Sequence, residues 1–275
     1  MTSPSIQDVK NYWNENPVHS VEFSASTDLK NYLEQIDSLR WADNERWARE
    51  KFYEFGGGKG KRILDAGCGV GVFTRFYARR DFEVHAIDLT PKSVEITQKS
   101  LEVFNLQGTI SKASVEKIPY SNDYFDYIVS NGVIHHTPDT EKAVEEFYRV
   151  LKPGGVASVC VYYQNVLLKP PLWYLIRKLI PLMLVKKQGR ENMLSVETPE
   201  DLVRTYDGNN TPIAKVYSRK QADELFVKFE HLRVEPHFFP VRFLKFFKTG
   251  GFFHKIMDRY FGTLVYYLLK KPIEE

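Results

Sequence analysis

Apolar and polar positions change rhythm more than once along this chain of 275 residues. From Asp28 to Phe55 the side chains Leu29, Leu33, Ile36 and Leu39, then Trp47 and Phe52, recur at helical spacing. Thr27 or Asp28 is placed to cap the start of that helix, and Gly56-Gly57-Gly58 to end it. From Arg62 onward short apolar runs alternate with helical stretches, the pattern of a parallel sheet wrapped by helices. The spacing predicts strands over Arg62–Asp65, Glu83–Asp88, Gly108–Lys112, Tyr124–Ser130 and Val156–Tyr162. It predicts helices over Val72–Arg80, Pro91–Phe104 and Thr140–Val150. Between Gln164 and Tyr217 the alternation breaks. It resumes with a helix over Arg219–Phe229 and strands over His231–Phe238 and Gly262–Leu269.

The division that follows is an N-terminal helical cap (1–60), a core (61–163), an inserted segment (164–217) and a C-terminal return to the core sheet (218–275). A chain of this length buries a sizeable core. Its net charge of +3 is too near neutral to argue for a nucleic-acid partner. Two cysteines, Cys68 and Cys160, make no disulfide framework and suit a reducing cytoplasm. Met1 to Lys10 has no apolar run of the signal-peptide kind. Gln164 to Val185 is apolar, but Lys169, Arg177 and Lys178 and prolines 170, 171 and 181 make it a poor spanning helix.

The densest chemistry lies in Ile63-Leu64-Asp65-Ala66-Gly67-Cys68-Gly69-Val70-Gly71, followed by Val84-His85-Ala86-Ile87-Asp88. Two strand ends each carry a carboxylate, with a three-glycine turn and a helical stretch between them, which makes a βαβ unit. The glycines alternate as G-x-G-x-G, whereas the nicotinamide fingerprint is G-x-G-x-x-G and seats a pyrophosphate on a helix N-terminus. An acid in the mouth of such a loop repels a pyrophosphate and suits a cation. S-adenosylmethionine fits, with its sulfonium, its α-ammonium and no phosphate. Asp65 then faces the ammonium, Gly67, Gly69 and Gly71 let the main chain approach the methionine part, and Asp88 accepts hydrogen bonds from the ribose hydroxyls.

With these stand Ala113-Ser114-Val115-Glu116-Lys117-Ile118-Pro119-Tyr120, Phe125-Asp126-Tyr127-Ile128-Val129-Ser130-Asn131-Gly132-Val133-Ile134-His135-His136 and Phe147-Tyr148-Arg149-Val150-Leu151-Lys152-Pro153-Gly154-Gly155. In order and spacing the four motifs resemble the class I S-adenosylmethionine-dependent methyltransferases, over Lys61 to Val161. The resemblance implies a Rossmann-like α/β fold. It has a seven-stranded, mostly parallel sheet, helices on both faces, a helical cap and a lid inserted after the fifth strand. It implies S-adenosylmethionine as cofactor, S-adenosylhomocysteine as product and no metal. It places Ser114, Val115 and Glu116 along the adenine, and Leu89 and Asn131 with the donor-binding residues. The commoner family residue at position 114 is acidic, so Ser114 is a departure; a backbone contact from Val115 survives it. Tyr12 and Trp13 resemble the helix that folds over the donor in some relatives, and an amphipathic anchor for the N-terminus is the alternative.

His135 and His136 end the expected fourth strand, beside the position of the transferred methyl. Adjacent strand residues point to opposite sides, which makes the pair a poor two-histidine metal site. Either one is a candidate general base, His136 before His135; a packing role beneath the cofactor is the alternative. In the inserted segment Tyr206 and Asp207 are candidate acceptor contacts, with a plain turn at Asp207-Gly208 as the other reading.

Missing motifs narrow the acceptor. Ser130-Asn131-Gly132-Val133 stands where Asn/Asp-Pro-Pro-aromatic would mark an amino-group methylase of nucleic acid or protein glutamine. The whole is similar to the ubiquinone/menaquinone-biosynthesis and natural-product methyltransferases. The expected partner is a small, partly apolar acceptor methylated first on oxygen, with no nucleic acid, in the cytoplasm. Carbon or sulfur transfer to a lipid or quinone-like acceptor at a membrane surface is one alternative, for which Leu167–Lys187 and Val241–Lys255 are the basic-apolar runs. A non-catalytic binding protein on the same fold is another.

Overall fold

The computed structural model describes residues 4–16, 28–41, 48–177, 196–206, 211–238 and 252–273. Two helices lead in, α1 (Ile6–Glu15) and α2 (Leu29–Arg40), followed by a single π turn at Arg49–Tyr53. The core runs β1 (Arg62–Ala66), α3 (Val72–Ala78), β2 (Glu83–Asp88), α4 (Pro91–Val103), β3 (Thr109–Lys112), β4 (Phe125–Asn131), α5 (Thr140–Val150) and β5 (Leu151–Tyr163). Then come α6 (Leu172–Ile176), α7 (Pro199–Tyr206), β6 (Val216–Tyr217), α8 (Arg219–Leu225), β7 (Glu230–His237), α9 (Phe252–Phe261) and β8 (Leu264–Lys270).

The strands form one sheet in the order β3-β2-β1-β4-β5-β8-β7. All pairs from β3 to β5 are parallel; β8 runs antiparallel between β5 and β7. Strand order reverses between β1 and β4, so a crevice opens beyond their carboxyl ends, where ligands of open α/β sheets bind. Side-chain alternation assigns the two sheet faces. Leu64, Ile128 and Tyr267 pack with Val144 and Phe147 of α5 and with Phe226 on one side. Ile63, Val129 and Tyr266 pack with Phe73, Phe76 and Tyr77 of α3 and with Phe52 on the other. Both faces are covered, which is why the central strands read as unbroken apolar runs.

The fold class stands as expected, and the details differ in four places. Among the described residues the sheet has eight strands instead of seven. The eighth is β6, two residues of the inserted segment paired in parallel with Tyr162 and Tyr163 of β5. It takes up the pairing that β4 leaves off at Cys160, and a strand of two residues has no periodicity to read. The expected helix from Asp28 to Phe55 stops at Arg40, with Trp41 as its C-cap; Thr27 and Trp47 lie outside the described residues. Asp28 does cap the start, accepting from the Asn31 N–H at 3.0 Å. The Pro153-Gly154-Gly155 motif lies within β5, which begins at Leu151, and not in a turn before it. Gly154 and Gly155 exchange backbone hydrogen bonds with Lys271, holding this glycine pair to the sheet. The helix after Ser218 ends at Leu225, four residues short of the expected Phe229.

Charge pins the cap to the core. The Arg75 guanidinium of α3 is fully buried and donates from Nε (3.1 Å) and Nη2 to the two Asp37 oxygens of α2, and from Nη1 to the Val70 carbonyl. Arg79 adds a third bond to Asp37 at 2.8 Å. Ile36, one residue earlier, packs on Val70 and Ile96, so α2 lies over the loop that follows β1.

Candidate active site

Asp65 lies near the carboxyl end of β1 and is 3% exposed. Its Oδ2 accepts from the Thr74 hydroxyl of α3 at 2.6 Å. Burial pushes the carboxyl up to about 7, against the pull of the Thr74 hydrogen bonds, and the Asp88 charge adds a smaller upward push. Asp88 ends β2 with both oxygens engaged: Oδ2 accepts from the Gly69 N–H at 3.0 Å, and Oδ1 from the Thr90 N–H and hydroxyl at 2.9 Å each. Burial raises this group as well, opposed by those bonds. Thr90 in turn caps α4, with Pro91 in its first turn. Asp88 is therefore a structural anchor of the loop, and its remaining lone pairs are what a ribose would use.

The loop itself is shaped by close approach. Gly67 has φ +88°, and a Cβ there would sit 2.4 Å from Val133 Cγ2, so only glycine lets the loops after β1 and β4 meet. Gly69 has φ +54°, and a Cβ there would meet nothing within 4 Å. Its N–H is the one that holds Asp88 Oδ2, so the open position adjoins that carboxylate. Gly71 caps α3 against Thr97 and Ser100. Cys68, between them, is buried, and burial with the two nearby carboxylates pushes its thiol well above the ordinary range, so it stays protonated.

The residues expected beside the adenosine divide. Val115 packs into the main core, and Ser114 turns the chain, its hydroxyl accepting from the Glu116 N–H at 3.1 Å. The Glu116 carboxylate accepts from the Asp139 N–H at 2.8 Å, which ties this loop to the start of α5. Leu89 is half-buried between Asp88 and Thr90. Asn131 ends β4, and its Oδ1 accepts from the Tyr53 hydroxyl at 2.6 Å. Tyr53 was not legible as a site neighbour, because 78 residues separate it from Asn131.

The histidines do not end a strand. They occupy a 3-10 turn, Ile134–His136, beyond β4, because Gly132 at φ +74° breaks the extended chain. Their rings therefore lie 4.4 Å apart instead of on opposite sides. His135 is 1% exposed, and burial, then His136, holds it well below the usual imidazole range against a weaker pull from the Cys160 backbone. It is neutral and packs on Tyr162 at 4.6 Å, which removes it as a base working near neutral pH. His136 is different. Its Nδ1 lies 2.6 Å from the Ile213 carbonyl, which can only accept, so Nδ1 carries the proton and Nε2 is the basic nitrogen. No three His, Cys, Asp or Glu side chains gather as metal ligands among the described residues.

The cap closes over this region. The Trp13 ring stands edge-on to His136 at 5.1 Å and to Tyr12 at 5.2 Å, and the Asn14 side chain accepts from the Lys92 N–H of α4 at 3.3 Å. Beside it, Lys215 donates its N–H to the His135 carbonyl and its Nζ to Pro138 and Thr140. Tyr206 ends α7, but its side chain and all of Asp207 lie outside the described residues.

Residues 64–159 match the methyltransferase domain family. The chain is 33% identical over 101 residues to a ubiquinone biosynthesis O-methyltransferase of Alkalilimnicola ehrlichii, covering 36% of this chain and 41% of that protein. It is 29% identical over 154 residues to a ubiquinone/menaquinone biosynthesis C-methyltransferase of Proteus mirabilis, covering 54% and 59%. A malonyl-[acyl-carrier protein] O-methyltransferase of Enterobacter lignolyticus is 34% identical over 97 residues, or 35% and 37%. The matched stretch spans less than two thirds of each of these relatives. In fold, the chain is similar to the [4+2]-cyclase SpnF (TM-score 0.61, 17% identity, 100% and 98% covered). It is also similar to an S-adenosylmethionine-dependent methyltransferase of Methanosarcina mazei (TM-score 0.53, 20% identity, 78% and 93% covered). Residues 64–159 are thus a methyltransferase domain, and in sequence and fold the chain is similar to the class I S-adenosylmethionine-dependent methyltransferases, whose cofactor is S-adenosylmethionine.

Proposed function

We propose that this protein transfers a methyl group from S-adenosylmethionine to a small, partly apolar acceptor, with oxygen as the first choice of acceptor atom. The observation that carries the reading is the pair of carboxylates near the ends of β1 and β2, Asp65 and Asp88, with the glycine loop between them open at Gly69, whose N–H holds Asp88. Two acids beside a main-chain approach fit a ligand with an ammonium and a ribose and no phosphate. Asp65 would meet the ammonium, Asp88 the ribose hydroxyls, and Gly67, Gly69 and Gly71 the methionine part. Ser114, Val115, Glu116, Leu89 and Asn131 would border the adenosine.

When bound, S-adenosylmethionine supplies a methyl group on an already activated sulfonium. The chain's own residues then align the partners and exclude water. Trp13 and Tyr12 close one side, and residues 164–217 act as the lid over the acceptor. An alcohol or phenol acceptor must also lose its proton. His136, oriented by the Ile213 carbonyl, offers Nε2 for that task. Transfer to carbon in a quinone-like acceptor is the second reading, supported by the match to the Proteus mirabilis C-methyltransferase.

Calorimetric titration with S-adenosylmethionine and S-adenosylhomocysteine, repeated on Asp88→Ala, tests the donor site. Binding of both, lost in the variant, is the expected result. Screening phenols, quinols and lipids with a homocysteine-release readout then identifies the acceptor. If neither nucleoside binds, with or without acceptors present, the reading fails.

A further inference from the structure

The exposed face of α9 is the feature that methyl transfer leaves unused. This helix has a single acid, Asp258, and it points inward. Asp258 lies 3.3 Å from His237 Nδ1 of β7 and 3.4 Å from His254 Nε2, and all three side chains are largely shielded from solvent. The next turn is tied down too, since Asn165 Nδ2 donates to the carbonyls of Phe261 and Gly262 at 3.0 and 3.1 Å. One side of α9 is thus fastened to the sheet edge by polar bonds, which orients the other side outward.

That other side is amphipathic along its length. At 100° per residue, Lys255 and Arg259 form one border, and Phe252, Ile256, Tyr260 and Phe253 continue across an arc of about 160° in total. Phe252 is 74% exposed, Phe253 65% and Tyr260 59%. Burying such side chains elsewhere in the molecule is routine, so an aromatic ridge left outside a cationic border needs an explanation. Val166, in the 3-10 turn that packs beside α9, is also 48% exposed and extends the apolar surface toward the carboxyl end of β5. In sequence, residues 238–257 hold seven phenylalanines and four Lys or Arg with no Asp or Glu.

We propose that the α9 face is a docking surface for an anionic lipid bilayer. Charge complementarity selects this occupant. A second copy meeting the same face about a two-fold axis would bring Lys255 and Arg259 toward their own equivalents, whereas anionic headgroups neutralise them while the phenyl rings enter the acyl boundary. Because α9 leads directly into β8, which pairs with the carboxyl end of β5, the docked face lies on the side of the molecule toward which the active-site crevice opens. The inference deepens the proposal of an apolar acceptor and rests on it for its purpose: the enzyme meets its acceptor at the surface where that acceptor dissolves.

The test is co-sedimentation of the full chain with vesicles of phosphatidylcholine plus phosphatidylglycerol, and with phosphatidylcholine alone, at low and high salt. Expected is binding to the anionic vesicles that salt weakens. The pair Lys255→Gln/Arg259→Gln should lower the partition coefficient about 30-fold. Phe252→Ser/Ile256→Ser should lower it at least ~10-fold. Both pairs change exposed side chains, and retention of S-adenosylhomocysteine binding shows that they fold. No binding to anionic vesicles at low salt overturns the proposal. So does unchanged binding by both variants, or a dimer in sedimentation velocity that the variants dissociate while vesicle binding is absent. Failure of the methyl-donor reading registers separately, as lost nucleoside binding with vesicle binding intact.

Discussion

Acid should loosen the donor site through one group, Asp65. Burial holds its carboxyl up to about 7, so it takes a proton within an accessible range. A ligand ammonium facing it needs the ionised form. Between about pH 7.5 and about pH 5.5 the ionised fraction of such a group falls about 25-fold. The ligand's own α-amino group, with an ordinary pKa of about 7.7–8.0, gains charge over that interval by less than about twofold, in the opposite direction. The affinity for S-adenosylhomocysteine should therefore drop at least ~10-fold, with proton release on binding at the acid end. Calorimetry in two buffers of different ionisation enthalpy measures both quantities. Asp65→Asn should bind weakly at every pH, with the slope gone. Asp88→Asn should keep the slope and move its midpoint to lower pH, because a like charge has left. An affinity constant within twofold across the window, or an unchanged slope in Asp65→Asn, would refute the reasoning. The same shift fixes the sign for the ligand-free protein. The folded-state value lies above the ordinary 3.8, so the folded chain holds this proton more tightly than the unfolded one. Stability then falls as pH rises from about 4 to about 7, by up to about 4 kcal/mol from this group. Asp65→Asn should accordingly raise the melting temperature above pH 7 and leave it unchanged near pH 4.

Three further outcomes are expected. Asp37→Ala strands the buried Arg75 guanidinium and should cost about 3–5 kcal/mol in urea unfolding, with Asp37→Leu/Arg75→Met recovering much of it. Gly67→Ala should destabilise the protein through its clash with Val133 and its positive φ, and Val133→Ala should relieve only the clash, leaving a deficit of about 1 kcal/mol in the double variant. With a phenolic acceptor, His136→Ala should lower kcat by about 10²–10⁴ while S-adenosylhomocysteine binding holds; equal loss of both would make the histidine a packing residue.

The parts of this molecule written in short-range pattern were legible before any coordinates. β1, β2, β4 and the helices between them declare themselves by apolar rhythm, and the cap Asp28 by local side-chain chemistry. Asp65, the glycines and Asp88 were readable because chemistry constrains their spacing. What escaped is what depends on distant neighbours. Asp37 and Arg75 look like two solvated charges until the fold brings them together; the sign available was an arginine set among Phe73, Phe76 and Tyr77 in an otherwise apolar helix. The Tyr53–Asn131 bond has no local signature either. The histidine pair misled for a different reason: strand alternation is a sound rule, but Gly132 ends the strand before the rule applies.

The two residues of β6 have a consequence for how this scaffold tolerates change. Val216 and Tyr217 are stitched to the end of β5, and Ile213 and Lys215 just ahead of them hold the histidine turn. The inserted segment thus begins at the end of β5 and returns beside it, so both its stumps are clamped to the same rigid strand. Such a segment behaves as a cassette. Exchanging or lengthening its interior between Lys169 and Tyr206 should leave in place the carboxylates proposed to hold the donor and the imidazole proposed to take the proton. Grafting that stretch from a methyltransferase with a different acceptor should transplant acceptor preference while donor affinity stays that of the host.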